Sequence, residues 1–160
     1  MSGPATAATL KRCGLFGGTF DPVHNGHVAV ARAALTQLGL DQLRWLPAGA
    51  PWQKATPHAA SHHRVAMLHL AIEGQFNNLA IEGQFNNLAQ EGQPKTLAGP
   101  AQHLVDEREL HREGPTYTID TLVSLAHDHP GVEWYLVIGQ DQVARLHTWH
   151  RWQEVVERAV

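Results

Sequence analysis

The sequence predicts an α/β fold in which helices cover both faces of a parallel sheet. Short apolar runs alternate along the chain with segments of helical periodicity, a pattern typical of parallel strands joined by right-handed helical crossovers. The run at residues 134–138 is apolar throughout, as a strand covered on both faces should be. The length of 160 residues suits a single domain with its own core.

The first half of the chain opens with a strand at residues 13–16, which ends at two glycines. A helix is predicted from Gly26, because apolar residues recur there at steps of three and four, and Gly39 is its expected end. A second strand follows at residues 43–46 and is closed by a proline. The apolar face of the first helix consists of Val28, Ala31, Leu35 and Leu38.

The second half alternates in the same way. Ser61 is predicted to cap a second helix, a third helix is predicted at residues 118–127, and a last one near residue 155. The predicted apolar faces are Val65, Leu68 and Ile72, then Ile119, Leu122, Val123 and Ala126, and finally Trp152, Val155, Val156 and Ala159. Ligands of parallel sheets bind beyond the carboxyl ends of the strands, so the loops after the first and last strands are the candidate binding segments.

One stretch is an internal repeat. Residues 70–78 read LAIEGQFNN, residues 79–87 repeat them without change, and a degenerate copy follows to Pro94. A nine-residue period is half a turn out of register in a helix and reverses the exposed face of a strand, so tandem copies cannot extend one packed element. We therefore expect an inserted surface loop at residues 73–102 within the single domain 1–160.

Composition excludes several classes. The net charge of −3 gives no electrostatic reason to expect nucleic-acid binding. No apolar run reaches the roughly 18 residues of a membrane helix, and the amino end lacks the pattern of a secretory signal. A single cysteine, Cys13, excludes an intramolecular disulfide and a cysteine zinc cluster. We expect a cytoplasmic protein.

The segment with most chemistry is GGTFDPVHNGH, residues 17–27, between the first strand and the first helix. Two glycines allow close approach to a ligand, and the following helix start favours an anion. His24 and His27 are spaced so that both imidazoles can hold one phosphate as its charge builds. The alternative is a glycine turn with two half-exposed histidines. A Walker loop, a GxGxxG fingerprint and a zinc site do not fit the spacing.

Three separated motifs carry a family resemblance. GGTFDPVHNGH, then DERELHREGPTYTIDTL at residues 106–122, and IGQDQVARLHTW at residues 138–149 resemble, in that order, the HxGH nucleotidylyltransferases, specifically the bacterial nicotinate-nucleotide adenylyltransferases. The resemblance implies a Rossmann-like fold. It also implies adenylyl transfer from ATP, with Mg²⁺, to nicotinate mononucleotide, which gives deamido-NAD and pyrophosphate in NAD biosynthesis.

By resemblance, His24 and His27 contact the ATP phosphates and stabilise the transition state. The adjoining nucleotide loop would consist of Gly17, Gly18, Thr19 and Phe20. Gly139 and Asp141 would border the ribose and adenosine, since a carboxylate accepts from hydroxyls; the alternative for Asp141 is a helix cap. Lys54 either reaches the triphosphate or is a solvated loop residue.

The nicotinate-nucleotide side falls, by resemblance, on Tyr117, Thr118 and Trp149. A pyridine ring favours an aromatic face, and its carboxylate favours donors at a helix start. The alternatives are a core or interface aromatic for Trp149 and a helix cap for Thr118. Arg64 is expected on the surface of its helix.

The chain departs from the family in one respect. The family continues with further strands and a helix headed by an ISSTxxR-like motif that binds ATP phosphates, and the 160 residues contain no such motif. We therefore expect the fold to lack the family's carboxyl-terminal part. Two rival functions stay open: transfer to another acceptor, such as nicotinamide mononucleotide or phosphopantetheine, and a noncatalytic nucleotide-binding fragment. A homo-oligomer is also compatible with the sequence.

Overall fold

The computed structural model describes residues 10–49, 56–77, 95–96 and 99–160. The strands are β1 (Arg12–Gly18), β2 (Gln42–Pro47), β3 (Lys95–Thr96), β4 (Gly99–Pro100), β5 (Gln102–Val105) and β6 (Glu133–Val137). The helices are α1 (Asn25–Leu38), α2 (Ser61–Ile72), α3 (Thr118–Asp128), α4 (Gln140–Arg145) and α5 (Trp152–Arg158), with a π turn at Glu73–Asn77 and a 3₁₀ turn at Leu146–Thr148. Within these described ranges, no helix is long and apolar enough to cross a membrane.

The predicted parallel sheet is confirmed. Four strands pair in the order β5-β2-β1-β6, and every pair in this sheet is parallel. Cys13 near the start of β1 stands between Gln42 of β2 and Trp134 of β6. Beyond β6, Val160 donates to the carbonyl of Trp134 and accepts from the amide of Leu136. Strands β3 and β4 form a separate antiparallel pair.

Helices cover both faces of the sheet, as predicted. One core cluster joins β1, β2 and β6 to α1 and α2, and the other joins the opposite face to α3 and α5. The alternation of side chains along β6 separates them, since Trp134 belongs to the second cluster while Tyr135 and Val137 belong to the first. Because all four strands run parallel, their carboxyl ends lie together at one edge of the sheet, where a site can form.

Two glycines fix this architecture. Gly39 ends α1 in the left-handed conformation with φ of 57°, as its place after the apolar face predicts. Gly14 has another role, because a Cβ there would lie 2.7 Å from side-chain atoms of both Leu40 and Leu43. The close packing of β1 against β2 and the α1–β2 connection therefore requires a residue without a side chain at position 14.

The predicted helix faces need three corrections. Ala60, and not Ser61, is the N-cap of α2, and no side chain caps that helix. Val123 and Val156 are 41% and 48% exposed, because each follows a buried neighbour and successive helical residues point about 100° apart. Arg64 is 2% exposed, so the expectation of a surface position was wrong.

The predicted insertion at residues 73–102 also needs correction at both ends. Glu73–Asn77 continues α2 as a π turn, and Phe76 packs against the first core cluster. At the other end, Gln102 opens β5, which pairs with β2. Along β5, exposed side chains alternate with half-buried ones. A strand that is half-buried on one face only needs no continuous apolar run, which explains why β5 was not predicted. Residues 78–94, which include the second repeat copy, lie outside the described residues, so the inserted loop there stays a prediction.

Candidate functional site

The loops after β1 and β6 meet at one edge of the sheet, because these strands are adjacent and parallel, with Phe16 paired to Val137. Two cavities open at this edge. The residues that line both are Gly17, Gly18, Thr19, Gly139 and Gln142. The two loops that the sequence analysis selected thus form one divided site. We call its parts the histidine cavity and the tryptophan cavity.

The histidine cavity has a volume of about 660 Å³. Its walls carry the GGTFDPVHNGH motif on one side and the α4 start on the other; they include Phe16, Phe20, Asp21, His24, His27, His58 and Asp141. His24 and His27 stack with ring centroids 3.8 Å apart and planes 30° apart. The two imidazoles therefore lie together on the wall of this cavity, and their contact with a phosphate stays a prediction.

Backbone hydrogen bonds fix how both imidazoles carry their protons. His24 Nδ1 accepts from the amide of Gly26, and His27 Nδ1 accepts from the amide of His24, each at 3.1 Å. An Nδ1 that accepts a hydrogen bond carries no proton, so each neutral ring carries its proton on Nε2. The bond from the His24 amide also belongs to a capping box at the start of α1, in which the His24 side chain accepts from the backbone of His27. The pair therefore offers two neutral Nε2–H donors held by the helix start.

Phe20 is a buried residue that packs against His27. It is 1% exposed and adopts φ of 49°, a left-handed conformation that costs a non-glycine residue roughly 1–2 kcal/mol. Its ring packs edge-on against Phe16, with centroids 5.6 Å apart, and against His27, with centroids 4.9 Å apart. Core packing thus holds a strained residue in contact with one of the two imidazoles.

The sequence analysis missed two contacts that tie the motif to the start of α2. The carboxylate of Asp21 accepts from the backbone amides of His58, at 2.6 Å, and Ala59, at 3.1 Å. Arg64 Nη1 donates to the carbonyl oxygen of Thr19 at 2.8 Å. Residue 64 follows the i, i+4 spacing of Leu68 and Ile72, a signal that could have placed it on the buried face.

The tryptophan cavity is smaller, about 170 Å³. Apolar side chains from the strands face polar ones from α3 and the segment before it: Leu15, Leu46, Leu136 and Ile138 against Glu109, Thr116, Thr118 and Thr121, with Trp149 beside them. A narrow, partly apolar cavity with a few hydroxyls and one large aromatic residue suits a small flat ring with a polar substituent.

The predicted ring-binding residues divide in the structure. Thr118 and Trp149 line the tryptophan cavity. Tyr117 is absent from the residues lining it; its ring packs against His150 with centroids 4.4 Å apart. Tyr117 is also the N-cap of α3, without a side-chain cap hydrogen bond, so the alternative that Thr118 is merely the cap was wrong.

Glu109 is a cavity residue to which the sequence analysis gave no role. Its Oε1 accepts from the hydroxyl of Thr121 at 2.7 Å, and the same hydroxyl accepts from Arg112 at 3.2 Å. Burial raises the pKa of Glu109, against the opposing effect of the Thr121 hydrogen bond and the charge of Arg112. The backbone of Glu109 packs directly against Gly49, because a Cβ at position 49 would overlap the carbonyl oxygen of Glu109.

The wall between the cavities includes the start of α4. Gly139 is the N-cap of that helix, so the alternative that Asp141 serves as its cap was wrong. The carboxylate of Asp141 faces the histidine cavity and accepts from Gln142 Nε2 at 3.2 Å. A Cβ at position 139 would lie 2.7 Å from Asp141 Oδ1, so glycine lets this carboxylate fold back over the strand end.

Lys54, the remaining triphosphate candidate, lies outside the described residues. Among the residues that are described, no group of three or more histidine, cysteine, aspartate or glutamate side chains could hold a metal ion. Asp21 uses both carboxylate oxygens on backbone amides.

Comparison with known proteins supports the motif resemblance. A family model described as cytidylyltransferase-like matches residues 15–159. The chain belongs to the cytidylyltransferase-like family. Among curated members, a protein named as a probable nicotinate-nucleotide adenylyltransferase from Methylibium petroleiphilum is 40% identical over 95% of this chain and 60% of its own length. One of the same name from Gloeobacter violaceus is 42% identical over 92% of this chain and 60% of its own length.

Solved structures agree with the cytidylyltransferase-like fold. Plasmodium falciparum nicotinic acid mononucleotide adenylyltransferase complexed with NaAD superposes with a TM-score of 0.67 at 20% identity, over 91% of this chain and 60% of that one. A putative nicotinate-nucleotide adenylyltransferase from Vibrio parahaemolyticus gives 0.66 at 16% identity, over 94% and 71%. The chain spans about 60% of the length of the curated relatives described above. The predicted family resemblance and the Rossmann-like fold are confirmed; the roles of single residues stay predictions.

Proposed function

We propose that this chain forms the substrate-binding core of an enzyme that transfers the adenylyl group of ATP to nicotinate mononucleotide. The observation that carries the proposal is the divided site, in which the histidine cavity and the tryptophan cavity share one glycine-lined wall. The curated relatives named above bear the name of this activity. A site with one polar compartment and one ring-sized compartment suits a reaction that joins two nucleotides.

The histidine cavity would hold the ATP phosphates. His24 and His27 would present neutral Nε2–H donors from the start of α1, whose dipole favours an anion. Donors fixed before the reaction cost no reorganisation when negative charge grows on the phosphorus oxygens. Gly17 and Gly18 leave the backbone of the shared wall open to the same phosphates. Asp141 lines this cavity, and its carboxylate would accept from ribose hydroxyls.

The tryptophan cavity would hold the pyridine ring of the mononucleotide. Trp149 offers an aromatic surface. Thr118 opens α3, an eleven-residue helix, so its hydroxyl and the neighbouring backbone amides suit the ring's carboxylate. Burial raises the pKa of Glu109, and the hydroxyl of Thr121 donates to its carboxylate in this cavity.

The reaction then needs positioning more than covalent chemistry. The 5′-phosphate of the mononucleotide attacks the α-phosphorus of ATP in line; the bond from that phosphorus to the bridging oxygen breaks, and pyrophosphate leaves. Mg²⁺, bound to the triphosphate, supplies charge neutralisation on the leaving group. The setting of this reaction would be the cytoplasm, since a single cysteine excludes an intramolecular disulfide.

Calorimetric titration tests the proposal. We expect the chain to bind nicotinate mononucleotide more tightly than nicotinamide mononucleotide, and phosphopantetheine not at all. Tighter binding of phosphopantetheine would support the rival acceptor instead, and no binding of either mononucleotide would contradict the proposal.

Pyrophosphate release with MgATP and nicotinate mononucleotide tests turnover by the 160 residues themselves. Because they contain no ISSTxxR-like motif, several phosphate donors of the family are absent, and we expect turnover more than about 10³ below the roughly 10 s⁻¹ of a typical enzyme. Turnover near that typical value would mean that other residues complete the clamp.

A further inference from the structure

Arg64 is a buried cation whose visible partner is the backbone of the nucleotide loop. Its side chain reaches from α2, is 2% exposed, and donates from Nη1 to the carbonyl oxygen of Thr19 at 2.8 Å. Its Nε is buried without a hydrogen-bond partner in the part of the chain that the structure describes. Arginine is rarely buried unless paired, so its position needs a reason beyond packing of α2.

Arg64 contacts the peptide bond between Thr19 and Phe20, which lies in the wall of the site. Thr19 lines both cavities, and the next residue, Phe20, adopts a left-handed conformation. Because the peptide unit is planar and trans, holding the Thr19 carbonyl toward Arg64 also directs the Phe20 amide away from it. The guanidinium therefore fixes the orientation of the whole Thr19–Phe20 peptide.

That orientation passes to a predicted catalytic side chain. The ring of Phe20 packs edge-on against the ring of His27, with centroids 4.9 Å apart. Rotation of the Thr19–Phe20 peptide would change the backbone angle of Phe20 and move its ring. His27 would then lose part of the surface that holds it over the cavity.

A second link acts in parallel at the neighbouring residue. The Asp21 carboxylate binds the amides of His58 and Ala59, which precede α2. The charge of Asp21 also favours the cationic form of Arg64, against the lowering of its pKa by burial. The nucleotide loop and the start of α2 are thus joined by two links, one from each side.

We infer that Arg64 is a positioning residue, which sets the Thr19–Phe20 peptide and through it the ring of His27. The inference rests on the proposed function for what the histidine cavity binds. The effect on His27 does not depend on any ligand, so the two can fail separately.

The test compares Arg64→Met with Arg32→Met in the full chain. Methionine keeps much of the length of the arginine stem and removes the donors. Arg32 is a matched control on α1 that donates to Gln75, outside the site. The readouts are the imidazole ¹H and ¹⁵N resonances of His27, the melting temperature, and the affinities for ATP and nicotinate mononucleotide.

We expect Arg64→Met to shift the His27 resonances and weaken ATP binding tenfold or more, with mononucleotide affinity changed less than threefold. Arg32→Met should leave the His27 resonances in place. Shifted His27 resonances without any ATP binding by the unmodified chain would sustain the positioning role and contradict the proposed function. A folded Arg64→Met protein with the His27 resonances and ATP affinity of the unmodified chain would overturn the inference.

Should Arg64→Met fail to fold, Arg64→Lys decides, because lysine keeps the buried cation but lacks the planar fork of arginine. Shifted His27 resonances at an unchanged melting temperature support the inference. Resonances identical to those of the unmodified chain overturn it.

Discussion

His24 caps α1 and is also predicted to donate to a phosphate, and the His24→Asp variant should keep the first role while losing the second. Nδ1 of His24 caps α1 by accepting from the amide of Gly26 at 3.1 Å, while Nε2–H faces the histidine cavity. Aspartate keeps an acceptor at the N-cap and places a carboxylate at the positive end of the helix, but it has no donor for a phosphate. His24→Ala removes both the cap and the donor.

The magnitudes follow from these contacts. Loss of the cap in His24→Ala should cost about 1 kcal/mol, which lowers the melting temperature by roughly 2–4 °C in a domain of this size. His24→Asp should melt no lower than the unmodified chain. A lost hydrogen bond to a charged phosphate costs about 1.5–3 kcal/mol, so ATP should bind at least about tenfold more weakly to the alanine variant, and more weakly still to the aspartate variant.

Thermal melting and calorimetry with MgATP measure the two effects, with His62→Asp as the control. His62 is an exposed histidine in the first turn of α2, so its replacement should leave ATP affinity unchanged, and a carboxylate at this helix start should not lower the melting temperature. The reasoning is refuted if His24→Asp lowers the melting temperature as much as His24→Ala does, or if it binds ATP like the unmodified chain.

Three further predictions concern other parts of the chain. Trp149→Ala should weaken nicotinate mononucleotide binding by about 1–3 kcal/mol, the range for a base stacked on an aromatic ring, and leave ATP binding unchanged; equal loss of both ligands would indicate a collapsed fold. Deletion of residues 79–87 should leave the melting temperature nearly unchanged, because a solvated loop contributes few buried contacts; a loss of many degrees would mean that the repeat is packed. Burial, with a smaller effect of Arg32, lowers the pKa of His103 to about 4. The free energy of unfolding should therefore be fully retained above pH 6.5 and should fall by up to about 3 kcal/mol as the pH drops from 6.5 to 4, because only the unfolded chain binds the proton in that range. His103→Gln, which keeps an acceptor for Trp45 Nε1, should flatten that decline in chemical denaturation at each pH, and an unchanged pH profile would contradict it.

Local patterns were enough to predict most of the fold. β1, α1 and β6 carry apolar periodicity and glycine signals that depend on neighbouring residues alone, and the structure has them near the predicted places. β5 was missed because an edge strand is covered on one side, so its sequence shows no continuous apolar run.

The site was less predictable, because several of its contacts join distant segments. The spacing of His24 and His27 is local, and it predicted their pairing. Arg64 contacts Thr19 across 45 positions, and Glu109 contacts Thr121 across 12. Such contacts depend on how α2 and α3 dock on the sheet, which neither periodicity nor a motif specifies. Tyr117 shows the reverse, since its motif was recognised but its ring packs against His150.

Deamido-NAD binding tests the divided site as a single unit, since this product would span both cavities. We predict that Trp149→Ala weakens deamido-NAD binding at least about fivefold and His24→Asp at least about tenfold, and that the double variant loses roughly the product of the two effects. ATP should respond to the His24 substitution and nicotinate mononucleotide to the Trp149 substitution. Deamido-NAD affinity that is indifferent to either substitution, in a variant that stays folded, would contradict the claim that the two cavities form one site.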